Sequence, residues 1–253
     1  GGPGDAERLV NRCFLYHVIG RGTGDWDVPV GGMGQVTDGL LRAAESYGAQ
    51  LRTSATVTSV STDGREAVVR TADGLEVRAG QVFANLAPTL LDRLLGDAPS
   101  RPEPEGAQLK VNMLLSRLPA LRDASTTPEQ AFAGTFHINE GYDQIATAYA
   151  QAAAGQIPDV PPCEVYCHSL SDNSILGPDL VAAGAQTLTL FGLHMPARLF
   201  REDPEGARER ARELTLASIN SVLAEPIEDC LLAPDTIDVR SPLDIEASVG
   251  MPG

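Results

Sequence analysis

Ala55-Thr56-Val57-Thr58-Ser59-Val60-Ser61-Thr62-Asp63-Gly64-Arg65-Glu66-Ala67-Val68-Val69-Arg70-Thr71-Ala72-Asp73-Gly74-Leu75-Glu76-Val77-Arg78 is the stretch that decides the fold. Val and Thr dominate 55–61 and 66–71, and Asp63-Gly64 lies between them as a hairpin turn. Asp73-Gly74 repeats that turn chemistry and leads into 75–78. A further short apolar run at 81–84 completes an expected β-meander.

Upstream of the meander, Val36, Leu40, Leu41 and Ala44 recur at helical spacing. They predict a helix over 35–47, with Gly48 at the position of a C-terminal cap. Downstream, Pro88 opens a short helix over 89–95 that Gly96 closes. Residues 97–106 are polar and rich in proline, a natural boundary. Four strands are expected at 109–116, 133–138, 164–169 and 187–194, with a helix over 142–154 between the second and third. A long helix is expected over 204–224 with Asp203 as its N-cap, and a short one over 242–249. The fold class is therefore α+β: a mixed or antiparallel sheet carrying helices, plus the meander.

Composition sets the outer limits. The chain has 253 residues, 43% of them apolar, enough to bury a core. Its 19 basic and 34 acidic residues give a net charge of −15, which repels phosphate backbones and excludes nucleic acid as the expected partner. No run reaches the ~18 apolar residues of a membrane span. Four cysteines do not make a disulfide scaffold. No signal peptide pattern is present, so the expected compartment is the cytoplasm. Lys110 is the only lysine against 18 arginines, a bias of the kind a GC-rich bacterial genome produces. The termini, Gly-Gly-Pro-Gly and Met251-Pro252-Gly253, read as cuts in a longer protein.

Residues with chemical potential are few. Gly20-x-Gly22 has Asp25 where a dinucleotide fingerprint needs its third glycine, and Pro29 follows before a helix could form; an ordinary loop is the better reading. Gly32-x-Gly34 does precede a helix, so its amides could face an anion or a cofactor, or form a plain loop-to-helix turn. His137, His168 and His194 fall in three separate strand candidates; a zinc site would need them to converge, and no metal is expected from their spacing. His17 lies in the apolar run 9–19 and reads as a core or interface histidine. Cys163 and Cys167 would stand roughly 13 Å apart on a strand, too far for a disulfide. There is no G-x-S-x-G elbow, and the carboxylates are dispersed.

Gly24-Asp25-Trp26-Asp27-Val28-Pro29-Val30-Gly31-Gly32-Met33-Gly34, a helix, Gly48-Ala49-Gln50-Leu51-Arg52-Thr53, the 55–60 strand and Asn85-Leu86-Ala87-Pro88 follow one another in order. Gly134-Thr135-Phe136-His137-Ile138, Ser169-Leu170-Ser171-Asp172, Gly184-Ala185-Gln186-Thr187-Leu188 and Pro242-Leu243-Asp244-Ile245-Glu246 continue the series. This order resembles the phytoene dehydrogenase-like FAD oxidoreductases, nearest the branch named for pyridine nucleotide-disulfide oxidoreductase domain-containing protein 2. The resemblance implies non-covalent FAD and hydride removal from an apolar or amine-like small molecule.

It also implies a domain layout. Residues 1–29 would be a substrate-side segment and 30–88 part of the FAD domain. Residues 89–240 would form the substrate domain, and 241–253 a truncated return to the FAD domain. Val57 matches the residue whose backbone meets the adenine, and Gly31, Gly32 and Met33 match a segment near the flavin ring or substrate cavity. Asn85 and Pro88 match a structural turn. No catalytic side chain is implied; substrate selectivity would come from an apolar lining of the 109–194 sheet. The family's G-x-G-x-x-G strand and its C-terminal glycine-rich segment have no counterpart in this sequence, so the main FAD anchor is expected elsewhere. The isolated chain is then expected to be inactive and to associate with a second copy or with the missing Rossmann half. The competing reading is a non-catalytic module that binds a hydrophobic ligand or a partner chain.

Overall fold

A computed structural model describes residues 28–98 and 105–251. The apolar run 9–19, the Gly20–Gly24 loop, His17 and Cys13 lie outside the described residues. The first described body opens with helix α1 (Gly34–Ser46), whose C-cap Tyr47 is followed by Gly48 at φ +83. Strands β1 (Val57–Thr62), β2 (Ala67–Thr71) and β3 (Glu76–Ala79) form an antiparallel sheet in that order. Its turns are made as expected. Asp63 Oδ1 accepts from the amides of Arg65 and Glu66, both at 2.8 Å, and Gly64 takes φ +84. Gly74 takes φ +86, a left-handed conformation that Gly adopts at no steric cost.

The fourth meander strand is a correction. Residues 81–84 form no strand; Val82 and Phe83 stand exposed, Phe83 at 93%. β3 pairs with β2 alone, so the apolar run has no ladder to join among the described residues. Helix α2 (Pro88–Leu95) then closes with Gly96 in the left-handed region.

The second body carries the core. In chain order it contains β4 (Leu109–Leu115), α3 (Pro128–Phe132), β5 (Phe136–Ile138), α4 (Tyr142–Ala153) and β6 (Cys163–Tyr166). There follow α5 (His168–Ser171), α6 (Pro178–Ala182), β7 (Gln186–Gly192), α7 (Pro204–Asn220), β8 (Ile237–Arg240) and α8 (Pro242–Val249). All five strands join one antiparallel sheet in the order β5-β6-β7-β4-β8. The α+β class holds, with antiparallel pairing throughout.

Alternation makes the sheet two-faced. Leu109, Val111, Met113 and Leu115 of β4 are buried, as are Leu188 and Leu190 of β7 and Val165 of β6. Ala211, Thr215, Leu216 and Ile219 of α7 are buried with them. Each fully buried Leu, Ile or Val is worth about 1.5–3 kcal/mol. Asp203 caps α7 by accepting from the Gly206 amide at 3.0 Å, the cap read from sequence. The helix ends at Asn220, short of the expected 224, and β8 was not foreseen.

Gly192, at the end of β7, leaves room for Thr215 of α7. A Cβ there would stand 2.9 Å from Thr215 Oγ1 and 3.3 Å from Met195 Cε. Thr215 is fully buried and stiff about χ1. Gly192→Ala is expected to cost about 1–3 kcal/mol in urea unfolding. Adding Thr215→Ala should recover part of that loss; full additivity of the two changes contradicts the contact.

Candidate functional site

The Gly31-Gly32-Met33 turn leads into α1. Gly31 and Gly32 take φ +88 and +83, conformations that glycine tolerates and L side chains resist. The turn rests against the second body. The Gly31 amide donates to Asp172 Oδ2 at 2.6 Å, and the position of a Gly32 Cβ lies 3.6 Å from Ile175 Cγ2. Asp172 Oδ1 in turn accepts from the Ser174 amide at 3.0 Å. Bonding to Ser174, then to Gly31, holds the Asp172 carboxyl below its ordinary range. The anion at this turn is thus one of the chain's own carboxylates. Met33 is 66% exposed. Val57 belongs to a different element, the head of β1, where its pairing with Thr71 precedes a register shift before Ser59.

The sheet of the second body leaves one face half-open. His137, Glu164, Phe191, Lys110 and Arg240 stand opposite one another across all five strands. Tyr166, Thr189, Asn112 and Asp238 form the next row. The Lys110 ammonium lies 5.8 Å from the Phe191 ring centroid, and Tyr166 meets Phe191 edge-on at 5.8 Å. The Tyr166 hydroxyl donates to Glu164 Oε2 at 2.8 Å. Burial and that carboxylate push the Tyr166 phenol up to about 12. The expectation of an apolar lining on this sheet is therefore corrected: its apolar face is sealed under α7, and the open face is polar and aromatic.

The histidines do not converge in strands. His137 alone lies in one, β5. His168 starts α5 and stacks on Tyr166 at 6.0 Å. His194 follows β7 at φ +59, edge-on to Tyr149 at 5.8 Å, and burial lowers its pKa. Cys163 and Cys167 are buried free thiols, in keeping with a spacing too wide for a disulfide, and Cys230 is another. Burial raises Cys163 to about 12 and Cys230 to about 11, which keeps both protonated. A groove of about 510 Å³ between α7 and β8 holds Arg208, Arg212 and Arg240. Each of the three is paired with a carboxylate, of Asp244, Glu209 and Asp238 respectively.

The relatives are mycobacterial at one range and mammalian at another. An uncharacterized protein of Mycobacterium tuberculosis is 50% identical over 255 residues, covering 97% of this chain and 47% of its own. A Mycobacterium bovis protein matches equally. Pyridine nucleotide-disulfide oxidoreductase domain-containing protein 2 of Mus musculus is 26% identical over 267 residues, covering 95% of this chain and 44% of its own. The chain thus spans about half the length of the curated relatives it matches. Among solved structures, a putrescine oxidase bound to putrescine aligns over 84% of this chain and 39% of its own, at 18% identity and a TM-score of 0.47. No protein-family model matches the chain. Mycobacterial relatives support the bacterial source read from the arginines. No helix among the described residues is long and apolar enough to cross a membrane.

Sequence reading singled out Gly31, Gly32, Met33 and Val57; the structure sets Gly31 against Asp172 and Gly32 against Ile175, and leaves Met33 exposed and Val57 on β1. It missed Asp172 as the partner of Gly31, and it missed the cluster of Tyr166, Phe191 and Lys110 on the open sheet face. Strand alternation was the signal for the last three. Asp172 is 141 residues from Gly31, and no spacing rule reaches that far.

The Gly31 contact should be pH-dependent. Because the folded Asp172 value is depressed, the stabilisation is complete above the ordinary aspartate range, about pH 4, and is lost as pH falls through the lower folded value. The Gly31 amide proton should shift upfield over that acid range in NMR. Asp172→Ala should produce the acid-limit shift at neutral pH. A Gly31 shift that ignores both changes contradicts the contact.

Proposed function

We propose that this chain forms the substrate domain and part of the flavin domain of an FAD-dependent oxidoreductase of the phytoene dehydrogenase or amine oxidase kind. One observation carries the reading: the first body is a layer with almost no interior of its own. Val36, Leu40 and Leu41 of α1 are 45%, 68% and 39% exposed, and no residue of α1 is buried. Within the meander strands only Ala67 is buried. An amphipathic helix and a three-stranded sheet need a further layer to cover them. The length of the relatives and the likeness to the mouse protein support a flavin domain as the source of that layer.

The residues present fit FAD in part. Gly31 and Gly32 offer backbone free of Cβ, Met33 is open to a ligand, and Val57 offers the head of β1. These four would hold the cofactor, alongside an anchor supplied by the missing half. FAD, when bound, supplies the hydride acceptor. The Asp172–Gly31 bond would set the position of the flavin-side turn against the second body. The open sheet face would orient the substrate, with Phe191 and Tyr166 as an aromatic floor and Lys110 beside them. The cytoplasm is the compartment we assign to it.

The test compares this chain with its Mycobacterium tuberculosis relative, each purified and incubated with FAD. The relative is expected to retain about one FAD per chain and this chain to retain little. Failure of the relative to bind FAD contradicts the reading. Tight FAD binding by this chain alone contradicts its division between two halves. A colourless chain that retains apolar ligands instead favours the non-catalytic module.

A further inference from the structure

We propose that His137, Glu140 and Glu164 form a binding site for a divalent transition-metal ion of the zinc type, clipping the outer edge of the five-stranded sheet. One ligand atom from each lies within 4.8 Å of the other two. His137 stands on the edge strand β5, directly opposite Glu164 on β6. Glu140 follows on the turn after β5, with its Oε2 2.6 Å from His137 Nδ1.

Three features hold these groups in place. Tyr166 donates to Glu164 Oε2 at 2.8 Å, the kind of outer bond that orients a ligating carboxylate. Asn139, at φ +57, turns the chain between His137 and Glu140. Its side-chain amide donates to Ser218 Oγ on α7 at 2.7 Å, and that hydroxyl donates to the Pro161 carbonyl at 2.6 Å. The turn is therefore pinned to the core rather than free to swing.

The chemistry favours a cation of intermediate softness. Two carboxylates beside one imidazole make a ligand set that suits zinc, manganese or iron, and the imidazole disfavours magnesium. Zinc bonds of about 2.0–2.2 Å place tetrahedral ligand atoms about 3.4 Å apart, so with all the ligand atoms within 4.8 Å no pair need close by more than roughly 1.4 Å. His137 is half-exposed and can rotate to do so, leaving the fourth position to water. The bound ion would tie together β5, its turn and β6. β5 has only three residues, the shortest strand of the sheet, and gains most from such a clip.

The test is zinc titration of the metal-free, untagged chain by calorimetry, with magnesium as control and cobalt absorbance as a ligand-field readout. The expected result is saturable binding of one zinc per chain, no response to magnesium, and cobalt bands in the visible. His137→Gln and Glu164→Gln should each weaken binding by about 10-fold or more, and Tyr166→Phe by a smaller factor, with circular dichroism unchanged. Both ligand positions are on the surface-facing side of the sheet, so folding should survive. Absence of zinc binding overturns the site. So does binding that either ligand variant leaves intact, since the ion would then sit elsewhere.

Discussion

Dry contact between one face of the five-stranded sheet and helix α7 is the constraint on which the rest depends. Leu109, Val111, Met113, Leu188 and Leu190 are driven to that side by strand alternation, and Leu216 and Ile219 meet them from the helix. Gly192, lacking a Cβ, leaves space for the side chain of Thr215 on that helix. Once those residues are committed to α7, their neighbours in each strand must face the other way. The row His137, Glu164, Phe191, Lys110 and Arg240 is the consequence. The chemistry of the open face is fixed by what the core has already taken.

The first body follows a different logic. Its strands are held by turn residues and by exposed ion pairs, among them Arg70–Glu76 at 3.0 Å and Arg78–Glu66 at 2.8 Å. Such exposed pairs contribute little. What it lacks is burial. Apolar side chains of α1, together with Val77, Val82 and Phe83, stand in the open. A layer built this way is stable where something covers it. The Gly31–Asp172 bond joins it to the second body while leaving that apolar surface available.

Local chemistry was legible in the sequence, and pairing across long separations was not. Asp63-Gly64 and Asp73-Gly74 announce their hairpins because the turn needs a left-handed glycine and a carboxylate that accepts from nearby amides. Asp203 announces the start of α7 for a similar reason. Residues 81–84 have strand composition but no neighbouring ladder, so propensity alone misleads there. β8 has two apolar residues in four and exists because β4 offers it an edge. The site divides in the same way. Gly31 and Gly32 stand out by composition, whereas Asp172 is brought to them only by the fold. His137 reads as one of three strand histidines, yet its nearest partners are two carboxylates that its own turn and the next strand supply.

The proposed function requires the Gly31–Met33 turn and the open face of the large sheet to border one and the same site. A crystal structure of the Mycobacterium tuberculosis relative grown with FAD tests it most directly. The account predicts the flavin ring between the residues corresponding to Gly31–Met33 and those corresponding to Phe191, Tyr166 and Lys110. A flavin bound away from both, or a sheet face packed dry against another element, would contradict it.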